Sequence, residues 1–261
     1  MSVQAETVLS IEHVAVHFDG LVAIADMTFS VRAGEIVGLI GPNGAGKTTA
    51  FNVITGFLKP TSGEVRYRST PLNGMKPHEI AALGLVRTFQ RTSVFRNSSV
   101  FENVLTGLHC RGRSNIWQSL LKTRREKKAE RQLVNDADKI LQFVGLERRA
   151  SEAAGNLPYG EQRLLGVAMA LAVKPSMLLL DEPVSGMNPS ETARFTQLVK
   201  KIGTTGVTIL LVEHDMPMVM QVSDRIVVLN HGRIIAEGLP TEIQNNPEVI
   251  RAYLGVRKKR A

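Results

Sequence analysis

The stretch "GPNGAGKT", Gly41–Thr48, satisfies the pattern G-x-x-x-x-G-K-[ST]. The apolar run "EIVGLI" (35–40) leads into it as a buried strand, and "KTTAFNVITGF" (47–57) leads out of it as a helix. A chance glycine-rich turn would need neither flank. Phosphate groups need many short-range donors, so Gly41, Gly44 and Gly46 let backbone N–H groups wrap around them, with a helix dipole behind. Pro42, Asn43 and Ala45 fill the positions between the glycines. Lys47 is placed to reach β- and γ-phosphates, the Thr48 hydroxyl to ligate Mg²⁺, and Thr49 to add a phosphate contact.

Further along, "MLLLDEP" (177–183) runs four apolar residues straight into Asp181 and Glu182. Carboxylates at the carboxyl end of a buried strand lie where open α/β sheets bind their ligands. Taken alone, such a run is as often a strand cap. Beside a phosphate loop, Asp181 is expected to hold Mg²⁺ through its water shell and Glu182 to polarise a water for attack on a γ-phosphate. Lys47 and Asp181 stand 134 residues apart, much further than in compact GTPases, so something is inserted between them.

The texture of the chain shows what it is. "LSIEHVAVHF" (9–18) and "MTFSVR" (27–32) read as half-buried strands, and "TSGEVRYR" (61–68) as another after a turn at Ser62-Gly63. From about Ser98 to Gly155 such strands disappear. Leu133, Ala137, Ile140, Leu141 and Val144 recur there at helical spacing, which predicts a helical lobe inserted into an α/β core. The core resumes with the buried strands "SMLLLD" (176–181) and "VTILLVE" (207–213), separated by a helix starting at Pro189. "DRIVVLNHGRIIAEG" (224–238) reads as two strands around a turn at Asn230-His231-Gly232. Apolar strands alternating with helices imply a mostly parallel sheet covered on both faces.

A chain of 261 residues can bury a sizeable core, and 43% hydrophobic with 21% charged residues is ordinary for a soluble globular protein. The longest apolar run, Leu164–Val173, is too short to span a membrane. The N-terminus lacks the basic start and apolar stretch of a signal peptide, and a lone cysteine, Cys110, fits a reducing compartment. A cytoplasmic location is expected. The net charge of +8 suggests polyanionic company: nucleotide, nucleic acid or an anionic membrane surface. The excess is concentrated in Arg111, Arg113, Lys122, Arg124, Arg125, Lys127, Lys128 and Arg131, and again at Arg257–Arg260. The plain reading is a solvated helical face and a frayed tail; the sharper one is contact with lipid headgroups or an acidic partner.

With a phosphate loop, a strand-end Asp-Glu pair and a helical lobe between them, the chain resembles the nucleotide-binding subunit of an ABC (ATP-binding cassette) transporter along nearly all its length. The resemblance implies a P-loop NTPase core with a mostly parallel sheet, an antiparallel β subdomain and an inserted α-helical subdomain. Residues 1–90 and 161–261 would form the nucleotide-binding core, and 91–160 the helical lobe. In "RTFQ", Gln90 matches the family's Q-loop glutamine, a ligand of Mg²⁺ and water at the hinge to the lobe. In "VEHD", His214 matches the switch histidine that contacts the γ-phosphate, and Phe18 in "HFDG" stands where the family stacks an aromatic ring on adenine. A core phenylalanine is the equal alternative for Phe18. The resemblance implies ATP and Mg²⁺ as ligands, and two ATPase subunits that sandwich the nucleotides.

Each phosphate loop would then face the partner's signature segment, here Leu157, Pro158, Tyr159, Gly160, Glu161 and Gln162. This segment departs from Leu-Ser-Gly-Gly-Gln: Pro158 removes a hydroxyl and an N–H donor, while Tyr159 and Gly160 keep their N–H groups. In "SGMN", Asn188 stands where the D-loop carries aspartate, so an amide replaces the carboxylate at that position. "LPYGEQR", "DEPVSGMNP", "GLVRTFQ", the basic insert after "VFENVLTGLH" and the ending "NPEVIRAYLG" are similar to the ATPases of branched-chain amino acid importers. Urea-uptake and lipopolysaccharide-export ATPases share overlapping motifs and stay as alternatives. The implied partners are transmembrane permease subunits at the cytoplasmic membrane face, a second ATPase chain (identical or different) and a separate solute-binding protein. A soluble nucleic-acid ATPase on the same cassette would need long coiled coils, and no heptad array fits between Gln90 and Leu157, so no nucleic acid is expected.

Overall fold

The computed structural model describes residues 6–88, 94–111 and 124–254. The chain opens with strands β1 (Thr7–Phe18), β2 (Leu21–Arg32) and β3 (Ile36–Ile40), then helix α1 (Lys47–Ile54). Strands β4 (Ser62–Tyr67) and β5 (Thr70–Pro71), helix α2 (Pro77–Ala82) and strand β6 (Leu85–Thr88) follow. Helices α3 (Val100–Arg111), α4 (Arg124–Val144) and α5 (Tyr159–Ala172) come next. The sheet resumes with β7 (Met177–Asp181), helix α6 (Pro189–Gly203), β8 (Thr208–Val212), helix α7 (Met216–Val222), β9 (Arg225–Asn230) and β10 (Arg233–Gly238), before the short helices α8 (Pro240–Gln244) and α9 (Pro247–Leu254).

Residues 1–87, 176–185 and 192–261 form one compact unit, and 88–175 with 186–191 form a second. The first is built on a ten-stranded mixed sheet of order β5-β4-β1-β2-β10-β9-β3-β8-β7-β6. Strands β9, β3, β8 and β7 run parallel, whereas β1 pairs antiparallel with β2 and β4. The expected α/β fold, a mostly parallel core with an antiparallel region beside it, is therefore observed. All five residues of β3, β7 and β8 are buried, which is why these strands read as continuous apolar runs instead of alternating ones. Helix α1 adds Phe51 and Ile54 to the same core. His231 and Gly232 both have positive φ, as a tight right-twisted hairpin between β9 and β10 requires.

The second unit is helical. Helix α4 buries Ala137, Leu141 and Val144 and half-buries Leu133 and Ile140, the face its periodicity predicts. Helices α3, α4 and α5 pack on one another. At Gly107 of α3 a Cβ would stand 2.7 Å from Met169 O of α5, so α3 and α5 approach backbone to backbone. Residues 161–175 lie in the same compact unit as these helices. Arg113, Lys122 and Arg257–Arg260 of the basic segments lie outside the described residues.

Candidate functional site

Register places one edge of the sheet in a common row. Leu39 of β3 pairs with Val212 of β8, and Val212 pairs with Asp181 of β7. Neighbouring strands are about 4.8 Å apart, so the chain leaves three strands side by side within about 10 Å. At these carboxyl ends stand the Gly41 loop, the Asp181-Glu182 pair and His214.

The loop Gly41–Gly46 joins β3 to α1. A Cβ at Gly41 would lie 2.0 Å from Leu229 O, so only glycine can leave β3 this close to β9. Gly46 has φ of +108°, and its Cβ would meet Ala23 O at 2.8 Å. On another side, Gly232 N donates to Ala45 O at 2.9 Å. Asn43 and Gly44 form an exposed crest, and Pro42 is half-buried. Lys47 opens α1, followed in its first turn by Thr48 and Thr49. Its buried side chain donates from Nζ to Gly41 O at 2.6 Å and Pro42 O at 3.0 Å. Burial pushes the Lys47 ammonium below the usual lysine pKa, and the negative charge of Glu182 opposes that shift.

Asp181 is 3% exposed, and its Oδ2 accepts from Arg87 Nη2 at 2.6 Å. Arg87 Nη1 also donates to Asn52 Oδ1 at 2.8 Å and Thr55 Oγ1 at 3.2 Å, and the guanidinium sits 5.5 Å from the Phe51 ring centroid. One side chain thereby ties β6, β7 and the end of α1 together. Glu182 has φ of +44°, a backbone region seldom used by a non-glycine residue, and its N–H donates to Val212 O at 2.8 Å. The completely buried Glu213 accepts from Val184 N at 2.9 Å through Oε1. Its Oε2 accepts from His214 N at 2.9 Å and Asp215 N at 3.2 Å. The His214 ring is exposed, with Nδ1 3.8 Å from Glu213 Oε2. Asp215 caps α7 by accepting from Met218 N at 2.9 Å.

Phe18 ends β1 and is 44% exposed, which removes the core-residue alternative. Gln90 lies outside the described residues. The donor chemistry suits magnesium: the Thr48 hydroxyl and the Asp181 carboxylate are hard oxygen ligands. Among the described residues no cluster of three or more His, Cys, Asp or Glu could hold a metal. One carboxylate and a hydroxyl beside phosphates is the usual magnesium arrangement, not a protein cage.

In the helical unit, Pro158 is the N-cap of α5 and offers no side-chain cap. Tyr159, Gly160, Glu161 and Gln162 form the first turn. Pro158 O accepts from Gln162 N at 3.0 Å, and Gln162 Nε2 donates to the carbonyl of the buried Leu157 at 2.9 Å. Glu161 pairs with Arg149 at 3.3 Å. Tyr159 carries its own partner: the buried Arg163 donates to the tyrosine hydroxyl from Nε at 3.0 Å and Nη2 at 2.5 Å. Asn188 Oδ1 accepts from Ser190 N and Glu191 N, both at 3.0 Å, while Asn188 N donates to Glu191 Oε2 at 3.0 Å. Asn188 therefore caps α6 in a reciprocal box, a job asparagine does as well as aspartate. A Cβ on Gly160 would lie 2.7 Å from Glu191 Oε1, so the glycine packs directly against the side chain that completes the α6 cap.

Arg87, Arg163 and Glu213 were not singled out by the sequence. Their one signal is a charge that borders an apolar run, after it for Arg87 and Glu213 and before it for Arg163, and it names no partner.

The ABC transporter family description matches residues 24–185, and that of a branched-chain amino acid ATP-binding cassette transporter matches 233–259. The chain is 44% identical over 252 residues to the high-affinity branched-chain amino acid transport ATP-binding protein LivG of Salmonella typhimurium, covering 96% of this chain and 99% of that one. It is 41% identical over 249 residues to BraF, of the same description, from Pseudomonas aeruginosa, covering 95% and 98%. Among solved structures, the ADP conformation of an ATP-binding cassette of an ABC transporter superposes with a TM-score of 0.82 at 32% identity, over 95% of this chain and 99% of that one. A dimeric bacterial ABC transporter cassette superposes at 0.75 with 25% identity, over 89% and 98%.

Proposed function

The chain belongs to the ABC transporter family, and from that premise we propose that it is the ATP-hydrolysing subunit of an importer for branched-chain amino acids. The observation that carries the enzymatic reading is the row of strand ends that brings the Lys47 loop, Asp181-Glu182 and His214 to one edge of the sheet. The similarity to LivG and BraF supports the choice of solute.

In this reading the N–H groups of Gly41–Gly46 hold the phosphates of ATP, and Thr49 adds a contact. Lys47 leaves its loop carbonyls for the β- and γ-phosphates. Glu182 accepts a proton from the attacking water as the water oxygen bonds to the γ-phosphorus and the bond to ADP breaks. His214 orients the γ-phosphate, and Phe18 stacks on the adenine. Thr48, Asp181 and Gln90 would hold Mg²⁺, which neutralises phosphate charge when bound. A second ATPase chain supplies its 157–162 segment and Asn188 across the nucleotide. Permease subunits at the cytoplasmic membrane face and a separate solute-binding protein complete the importer. Among the described residues no helix is long and apolar enough to cross a membrane.

The test is Glu182→Gln. ATP should bind within about threefold of wild type while turnover falls by about 10²-fold or more. Unchanged turnover would remove Glu182 from the mechanism. Uptake of labelled leucine by cells carrying the variant tests the solute and should fall with turnover.

A further inference from the structure

We propose that Glu213 is a positioning residue that joins the Glu182 segment and the His214 segment into one rigid body, so that both meet the γ-phosphate in fixed register. The proposal rests on the ATPase reading above. Glu213 is 0% exposed, yet among the described residues no lysine or arginine lies within ion-pairing distance of it. An isolated buried carboxylate is strongly disfavoured unless hydrogen bonds replace its water. Three backbone N–H groups do so, and they come from two different strand ends. Val184, two residues after Glu182, occupies Oε1 at 2.9 Å. His214 and Asp215 share Oε2 at 2.9 and 3.2 Å.

An apolar side chain of similar volume would fill this space equally well. What only the carboxylate adds is acceptance from two segments at once. The geometry around it agrees. Glu182 N donates to Val212 O at 2.8 Å, so the segment 182–184 is fastened at both ends to the end of β8. Glu182 meanwhile keeps its left-handed backbone, which persists only where surrounding structure enforces it. His214 is exposed, and among the described residues both of its links run to Glu213 Oε2, its N–H at 2.9 Å and its ring Nδ1 at 3.8 Å, so its placement depends on that carboxylate.

Glu213→Gln keeps the shape but turns an NH₂ group toward N–H donors on one side. We expect kcat to fall at least about tenfold, as displacement of catalytic groups by a fraction of an ångström to 1 Å does, with KM for ATP within about threefold. Amide hydrogen exchange at Val184, His214 and Asp215 should accelerate while the amides of β3 stay protected. In the double variant Glu213→Gln/His214→Ala the two losses should multiply only in part, because Glu213 acts partly through His214 and partly through the Glu182 segment. Wild-type kcat in Glu213→Gln, unchanged exchange at the three amides, or fully multiplying losses would each overturn the proposal. If Glu213→Gln does not fold, Glu213→Asp keeps the charge but is one methylene short. It should release Val184 alone and give an intermediate kcat, and wild-type kcat there would equally overturn the idea. Failure of the underlying reading is distinct: it would appear as absent wild-type hydrolysis, or as full turnover in Glu182→Gln.

Discussion

Tyr159 stands where a signature segment usually carries glycine, and its hydroxyl accepts two bonds from the buried Arg163 guanidinium. The guanidinium also faces the ring, 5.1 Å from its centroid. Tyr159→Phe removes that acceptor from a desolvated cation and should cost about 1–3 kcal/mol, read as a lowered melting temperature. Pro158→Ser works in the opposite direction, because it supplies the N-cap acceptor that α5 lacks, worth about 1 kcal/mol. Activity should be preserved or raised, and a collapse would mean that the proline shapes the segment in another way. Lys47 makes a pH-dependent prediction. Burial holds its pKa below the usual 10.5, whereas bound phosphates favour the charged form, so binding ATP takes up protons at alkaline pH. ATP affinity should be flat near neutrality and fall as pH rises through the free-protein pKa. Titration of Kd from pH 7 to 10 checks this, and constant affinity would contradict it.

At the scale of elements, the Arg87–Asp181 pair decides how the end of β7 is held. Both side chains are nearly buried, at 10% and 4% exposure. Removing one partner of such a pair strands the other charge, so Arg87→Met should destabilise the protein by about 3–5 kcal/mol. Chemical denaturation measures that loss; a loss under about 1 kcal/mol would show that Asp181 finds other partners. Elements were unequally legible in the sequence. Strands β3, β7 and β8 announced themselves because burial on all sides writes a continuous apolar run, and helix α4 because burial on one face writes a helical period. Strand β6 buries only Leu85, and α2 only Ile80, so neither carries a period. The first residues of β2, Leu21 and Val22, are exposed, which hid the strand before Met27. Helix α1 stops at Ile54, earlier than its apolar run suggests. Gly56 turns the chain with φ of +75° and packs where a Cβ would meet Met75 O at 2.5 Å.

At the scale of the whole molecule, Arg225 of β9 joins distant parts of the sheet unit. It donates to Glu35 Oε1 at 2.7 Å, Glu35 Oε2 at 2.8 Å and Ser30 O at 2.7 Å, and also to Glu237 of β10. Burial pushes the Glu35 carboxyl upward, but the Arg225 hydrogen bonds, the Arg32 N–H and both guanidinium charges outweigh it and leave the pKa lowered. A lowered carboxyl stabilises the fold fully above its unfolded value of about 4.5, and that contribution is lost as pH falls through the folded value. The wild-type melting temperature should therefore drop more steeply below about pH 4.5 than that of Arg225→Gln. Identical acid slopes would show that Arg225 does not link Glu35 to stability.

The sequence by itself determined the phosphate loop, the strand-end carboxylates and the family. Those features depend on contiguous residues: a glycine turn between strand and helix, or an apolar run ending in acids. Its departures at Tyr159 and Asn188 also carried the branch, because each is one local substitution. Only the tertiary structure decided how these pieces support one another. Arg87 meets Asp181 across 94 residues, Glu213 meets Val184 across 29, and Tyr159 packs on Gly186, where a Cβ would lie 3.4 Å from its ring. The order that sets β3 between β8 and β9 is likewise a long-range fact. Local periodicity records that a residue is buried, and a buried charge requires a partner. Which partner it finds depends on strand order and register, and these form only when the chain closes on itself.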